Sequence, residues 1–160
     1  MEHNPHWVAT FANMVRMCRP GGLVVMTCAT TGRAEHGTTR TSPKSSPLTL
    51  GLGWDYYHNL TARDFRRRFD FSGMFAVYSF DVNWGSFDLY FCGIKRGGEL
   101  PQEQWGEFRR AIDDYLATQN RLKVCAYRAL AARWLGDGWY SFMRRIGNRL
   151  GSKLLLDIHP

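Results

Sequence analysis

Apolar and polar positions follow two different periods along this chain. Val8, Phe11, Met14, Val15 and Cys18 recur at helical spacing and make one apolar face. Asn4 is placed to cap that helix and Pro5 suits its first turn, so a helix is predicted over residues 5–18. Pro20 stops it, and Gly21-Gly22 permits the positive backbone angle that reverses the chain. Residues 23–28, Leu-Val-Val-Met-Thr-Cys, hold no charge. That run predicts a strand covered on both faces, central in a parallel sheet and fed by the helix.

Regular periodicity then lapses over residues 30–60, rich in Thr, Ser, Gly and Pro, with turn signals at Gly32, Ser42-Pro43 and Ser46-Pro47. Loops this long inside a compact domain are functional or mobile as a rule. Gly51-Leu52-Gly53 is no dinucleotide fingerprint, because it lacks a third Gly, follows no strand and opens no helix. Thr61 and Asp64 mark a helix start, with an end expected near Phe69. Aromatic and β-branched residues then fill 74–82 and 87–94, joined by Asn83-Trp84-Gly85-Ser86, which predicts an antiparallel hairpin. Lys95-Arg96-Gly97-Gly98 marks a boundary. Pro101 opens a helix with Trp105, Phe108, Ile112, Tyr115 and Leu116 as its apolar positions, and helical pattern continues through Leu122, Tyr127, Leu130 and Trp134. A last helix is expected over residues 139–150. Trp105, Tyr127 and Trp134 read as core residues.

Composition narrows the class. The chain has 160 residues, 44% hydrophobic and 14% aromatic, enough for one core and unlike a disordered protein. Its formal charge of +7 arises from 21 basic against 14 acidic side chains and favours acidic partners without naming one. Much of that excess lies in the tail, where Arg121 to Lys153 hold eight basic residues and one acidic, Asp137. Such a tail suits a solvated helix face, and less readily a nucleic acid or an anionic membrane surface. Cys18, Cys28, Cys92 and Cys125 show no zinc-type spacing, and no metal site is expected. With no signal peptide and no bilayer-length apolar run, a cytoplasmic location is expected.

Residues 1–96 carry a resemblance. Met1-Glu2-His3-Asn4-Pro5, a helix, Arg19-Pro20-Gly21-Gly22 and an apolar strand resemble the second half of class I S-adenosylmethionine-dependent methyltransferases. In that family an acidic residue and His follow the fourth strand, Pro-Gly-Gly introduces the fifth, and the sheet ends in an antiparallel hairpin. The resemblance implies an α/β fold: a partial Rossmann-like methyltransferase sheet over residues 1–96, followed by C-terminal helices in a basic tail, 97–160. It implies S-adenosylmethionine as the cofactor of the complete enzyme and a small-molecule or sugar-type methyl acceptor. The family's glycine-rich turn after the first strand and acidic residue after the second are absent from this sequence. The isolated chain is therefore expected to be inactive. The alternative is a non-catalytic half-domain or basic module that binds a partner chain, nucleic acid or an anionic surface.

The candidate residues follow from both readings. By the resemblance Glu2 and His3 lie beside the cofactor, although in a chain lacking the preceding strand they are expected to be solvated. His3 and His36 are the candidate catalytic residues, imidazole being the side chain suited to accepting a proton near neutral pH. Arg40 offers a bidentate clamp for a carboxylate or phosphate. An exposed polar loop explains His36 and Arg40 equally well. Tyr56, Tyr57 and His58, following Trp54-Asp55, either line a substrate pocket or anchor the loop. The partners expected are a small-molecule substrate and an amino-terminal half or a second copy, docked on an open sheet edge.

Overall fold

The computed structural model describes residues 1–99 and 102–120, together with Leu130 and Trp134. The chain is mixed α/β. Helix α1 (Trp7–Met17) leads through the Pro20-Gly21-Gly22 turn into strand β1 (Leu23–Ala29). The long connection carries a 3-10 turn (Pro43–Ser45) and a short helix α2 (Pro47–Gly51). Helices α3 (Ala62–Arg66) and α4 (Phe71–Met74), strands β2 (Phe75–Asn83) and β3 (Asp88–Lys95), and helix α5 (Gln102–Gln119) complete the order.

The sheet has three strands in the order β1-β3-β2, and both pairings are antiparallel. Beside β3, Met26 faces Phe91 from β1 and Phe80 faces Phe91 from β2. The hairpin is as expected. Asn83 Oδ1 tightens its turn by accepting from the Gly85 and Ser86 amides at 2.9 and 3.3 Å.

The parallel, doubly covered β1 is corrected. Among the described residues β1 is an edge strand, paired only with β3 and antiparallel to it. Its burial alternates: Val24, Met26 and Cys28 point into the core, while Leu23 and Val25 are 44% and 46% exposed and Thr27 is open too. The missing charges signalled burial of one face only. The other face is covered over β2 and β3, where α5 lies: Arg109 of α5 pairs with Asp81 at 2.6 Å and donates to Ser79 Oγ at 2.6 Å. Trp105, Phe108, Ile112 and Leu116 give α5 its less exposed side, whereas Tyr115 is exposed.

The core lies between α1, α3, α4 and the sheet. Phe11 is fully buried, with ring centroids 5.2 Å from Phe65, 5.0 Å from Phe69, 5.8 Å from Phe71 and 5.3 Å from Phe91. Trp7, one turn before Phe11 on the same face though not among the positions named from the spacing, is buried as well, edge-on to Phe65. The helix starts two residues later than expected because Asn4 does not cap it: its side-chain oxygen accepts from the His6 amide at 2.7 Å, forming a turn before the helix. At the other end Lys95 Nζ donates to the Cys18 carbonyl at 2.7 Å, satisfying a terminal acceptor and complementing the helix dipole. Gly21, at φ +72°, lets its amide reach the Lys95 carbonyl at 2.9 Å. The capping box of Thr61 and Asp64 forms as expected, but α3 ends at Arg66. Arg66, Arg67 and Arg68 are exposed. Cys18, Cys28 and Cys92 are free.

Trp134, expected in the core, is 81% exposed, and Leu130 is 58% exposed. The expected helix over residues 139–150 and Tyr127 lie outside the described residues. No described helix is long and apolar enough to cross a membrane.

Phe11→Ala removes a ring that touches both helices and sheet and should cost about 3–5 kcal/mol in chemical denaturation; a loss under about 1 kcal/mol would place the core elsewhere. Burial opposes ionisation of Asp64, but its bonds with the Thr61 hydroxyl and amide hold the carboxyl below its ordinary value. A carboxyl depressed in the fold adds stability that is complete above its unfolded value and lost as pH falls through the folded one. Asp64→Asn should therefore flatten the pH dependence of stability below about pH 4, read by melting temperature across the acid range.

Candidate functional site

The chain before α1 is drawn under the carboxyl end of β1. The Asn4 amide donates to the Met1 carbonyl at 2.9 Å, making a tight turn that directs Glu2 and His3 inward. The His58 amide donates to the Glu2 carbonyl at 2.9 Å, and the Leu60 amide to the Ala29 carbonyl at 3.0 Å. Residues 58–60 thus lace Glu2 to the end of β1. Asn59, buried, donates to the Arg33 carbonyl at 2.9 Å and accepts from the Tyr57 hydroxyl at 2.9 Å.

The first part of the long loop folds back over this point. Thr38 and Thr41 exchange backbone bonds at 3.1 and 3.2 Å, a tight turn with Arg40 at its tip. The Thr38 hydroxyl donates to Glu35 Oε1 at 2.7 Å, and Asp55 accepts from the Thr39 amide at 2.9 Å. Turn-forming Thr and Asp side chains therefore hold His36 in place. Gly37 has φ +65°, and a Cβ there would come within 2.7 Å of His3 Cε1 and 2.5 Å of Ser46 Cβ. Only a glycine lets the loop pass that close to His3.

The result is a cluster of three rings and a carboxylate. His3 and His36 stand edge to face with centroids 4.8 Å apart, and Tyr57 lies 5.3 Å from His3 and 5.1 Å from His36. One ligand atom each from Glu2, His3 and His36 lie within 4.8 Å of one another, and all three residues are half-buried. His36 Nδ1 is 3.0 Å from the Ala34 carbonyl. A carbonyl only accepts, so in the neutral ring this contact favours the proton on Nδ1 and leaves the lone pair on Nε2. His3 Nδ1 is buried and has no hydrogen-bond partner among the described residues.

The charges are set by the same packing. Burial works to raise the Glu2 carboxyl, but backbone bonds at Glu2 and Ala29 and the Met1 amino group, 3.2 Å away, hold it below its ordinary range. It is a carboxylate. Burial lowers His3, and the His36 ring adds to that, against the opposing pull of Glu2. Burial and the Glu2 carboxylate push the Cys28 thiol up to about 12, which leaves it unreactive.

The expected residues thus divide. Glu2 and His3, expected to be solvated, are half-buried between the end of β1 and residues 56–58. His36 and Tyr57 join them. Arg40 turns away: its guanidinium is 60% exposed and bonds Glu35 Oε1 at 2.8 Å, so its clamp is spent on a neighbour. Tyr56 is half-buried, His58 exposed. Thr38 and Asp55, which hold the site with Asn59, carry no motif of their own; the turn-rich composition of residues 37–42 points to Thr38 alone. No family model, curated protein or solved structure matches the chain.

Gly37→Ala should both strain the loop, by about 1–3 kcal/mol, and separate His3 from His36. Imidazole proton shifts of both histidines should move in the folded variant; unchanged shifts would mean that Gly37 does not set their contact.

Proposed function

We propose that the chain is the carboxyl-terminal part of a class I S-adenosylmethionine-dependent methyltransferase with a small-molecule or sugar-type acceptor. In this reading the sheet is the end of a partial Rossmann-like methyltransferase sheet. The observation that carries it is the junction at Ala29: Glu2 of the Glu-His pair is bonded at the carboxyl end of the strand that follows Pro-Gly-Gly. Ligands of open α/β sheets bind beyond strand ends of this kind. The antiparallel hairpin follows, in the order that the resemblance implies.

The described residues do not complete a cofactor cradle in this reading. β1 runs into Thr30-Thr31-Gly32-Arg33, with no glycine-rich loop opening a helix. Glu2 and His3 would reach one side of S-adenosylmethionine and leave its other side unheld. What the residues offer is proton handling: His36 Nε2, with its lone pair, suits removal of the proton from an acceptor hydroxyl. Tyr57 would back the acceptor, with Tyr56 and His58 at the rim. Arg40 would have to leave Glu35 to bind an anionic group.

Among the described residues one edge of β1 is unpaired, which supports a partner. With Leu23 and Val25 exposed beside unpaired backbone, it suits a strand from an amino-terminal half or a second copy. Calorimetric titration tests both parts. The 160-residue chain alone should show no cofactor binding. Binding should appear when an amino-terminal half carrying the glycine turn is supplied. Micromolar binding by the chain alone would remove the half-domain reading, and silence in both titrations would remove the methyltransferase reading.

A further inference from the structure

We propose that Glu2, His3 and His36 form a binding site for a divalent transition-metal ion, of the two-histidine, one-carboxylate kind. The residue types suit it: imidazole and carboxylate together take Zn2+, Co2+ or Fe2+. The ligand atoms already converge to within 4.8 Å. Ligands about 2.0–2.2 Å from a tetrahedral zinc stand roughly 3.3 Å from one another. The cluster has to contract by about 1.5 Å, a side-chain adjustment.

The surroundings favour that contraction. His36 is oriented by the Ala34 carbonyl on Nδ1, 3.0 Å away, the backbone contact that fixes the tautomer of a metal-bound histidine and leaves Nε2 for the ion. Among the described residues His3 Nδ1 is enclosed without a hydrogen-bond partner. Glu2 is already held beside a positive charge, the Met1 amino group at 3.2 Å, which the cation would replace. Tyr57 and the Gly37 backbone wall the two rings. Three protein ligands leave a position for water or a substrate oxygen, the layout of reactive rather than structural zinc sites.

The metal site stands on this geometry and does not need the methyltransferase reading. It changes that reading if both hold: with the ion bound, His36 is a ligand, and an acceptor hydroxyl would lose its proton to solvent through coordination to the cation.

The test is titration of the full chain with Co2+, followed by visible absorption, and competition with Zn2+. Cu2+ and Ni2+ are poor probes, because an amino terminus with His at the third position chelates them without a fold. One equivalent of Co2+ should bind, with the intense bands of a low-symmetry site, and Zn2+ should displace it. His36→Ala, His3→Ala and Glu2→Gln should each weaken binding by more than about tenfold, while His6→Ala should leave it unchanged. If a variant fails to fold, the unmutated chain still decides: bound Co2+ should shift the imidazole protons of both His3 and His36 far outside the diamagnetic range. Absent binding, affinity unaffected by His36→Ala in a folded chain, or unshifted His36 protons overturns the site. Metal binding without any response to S-adenosylmethionine in either titration would keep the site and discard the methyltransferase reading; the reverse would discard the site alone.

Discussion

The contact between Phe11 and Phe91 holds the molecule together. Phe91 sits on β3, the strand paired on both sides, and Phe11 is the fully buried residue of α1. Through Phe65, Phe69 and Phe71 the same ring reaches α3 and α4. Aromatic pairs prefer edge-to-face and tilted geometry, and each ring carries a large apolar area. One cluster therefore fixes α1 against the sheet in both distance and rotation. The strand ladder alone would set neither.

The position of the polar cluster is a consequence. With α1 fixed, the turn at Met1–Asn4 lies at the carboxyl end of β1, and the bonds from His58 to Glu2 and from Leu60 to Ala29 close the gap. The 30–60 connection enters from Ala29 and returns to it at Leu60, so its two ends are neighbours. A long loop pinned at both ends and tied internally by Thr38, Thr39 and Asp55 can present His36 as firmly as a helix would.

Local elements are legible in the sequence, and placements are less so. α1, the Pro-Gly-Gly turn, the Thr61–Asp64 box and the hairpin around Asn83 each depend on neighbours in sequence, and each is found. For β1 the pattern misleads, because an uncharged run carries no information on which face is buried. Val25 and Leu23 are apolar and exposed, and only the absence of a second partner strand makes them so among the described residues. Asn4 has the chemistry of a cap, yet its side chain serves a turn one step earlier. Arg40 has the chemistry of an anion clamp, but Glu35 lies five positions before it and takes the charge. His3 and His36 stand 33 positions apart in the sequence, and no spacing rule joins them. Their meeting needs the fold and the Gly37 backbone.

His3 shows why the cluster is more than packing. Nearly all polar groups around it are satisfied: the Thr38 hydroxyl on Glu35, the Asn59 amide on Arg33, the Tyr57 hydroxyl on Asn59. Its Nδ1 is enclosed and, among the described residues, unpaired. An unmet buried polar atom costs about 1–3 kcal/mol, and an apolar ring of the same size would avoid that cost. Burial also holds His3 toward its neutral form although Glu2, a carboxylate, lies close enough to favour the cation. A fold selected for stability alone would pair the two or lose one of them. Instead two imidazoles and a carboxylate face one another across the end of β1. Among the described residues His3 Nδ1 meets no partner, an opening that the proposed ion would fill.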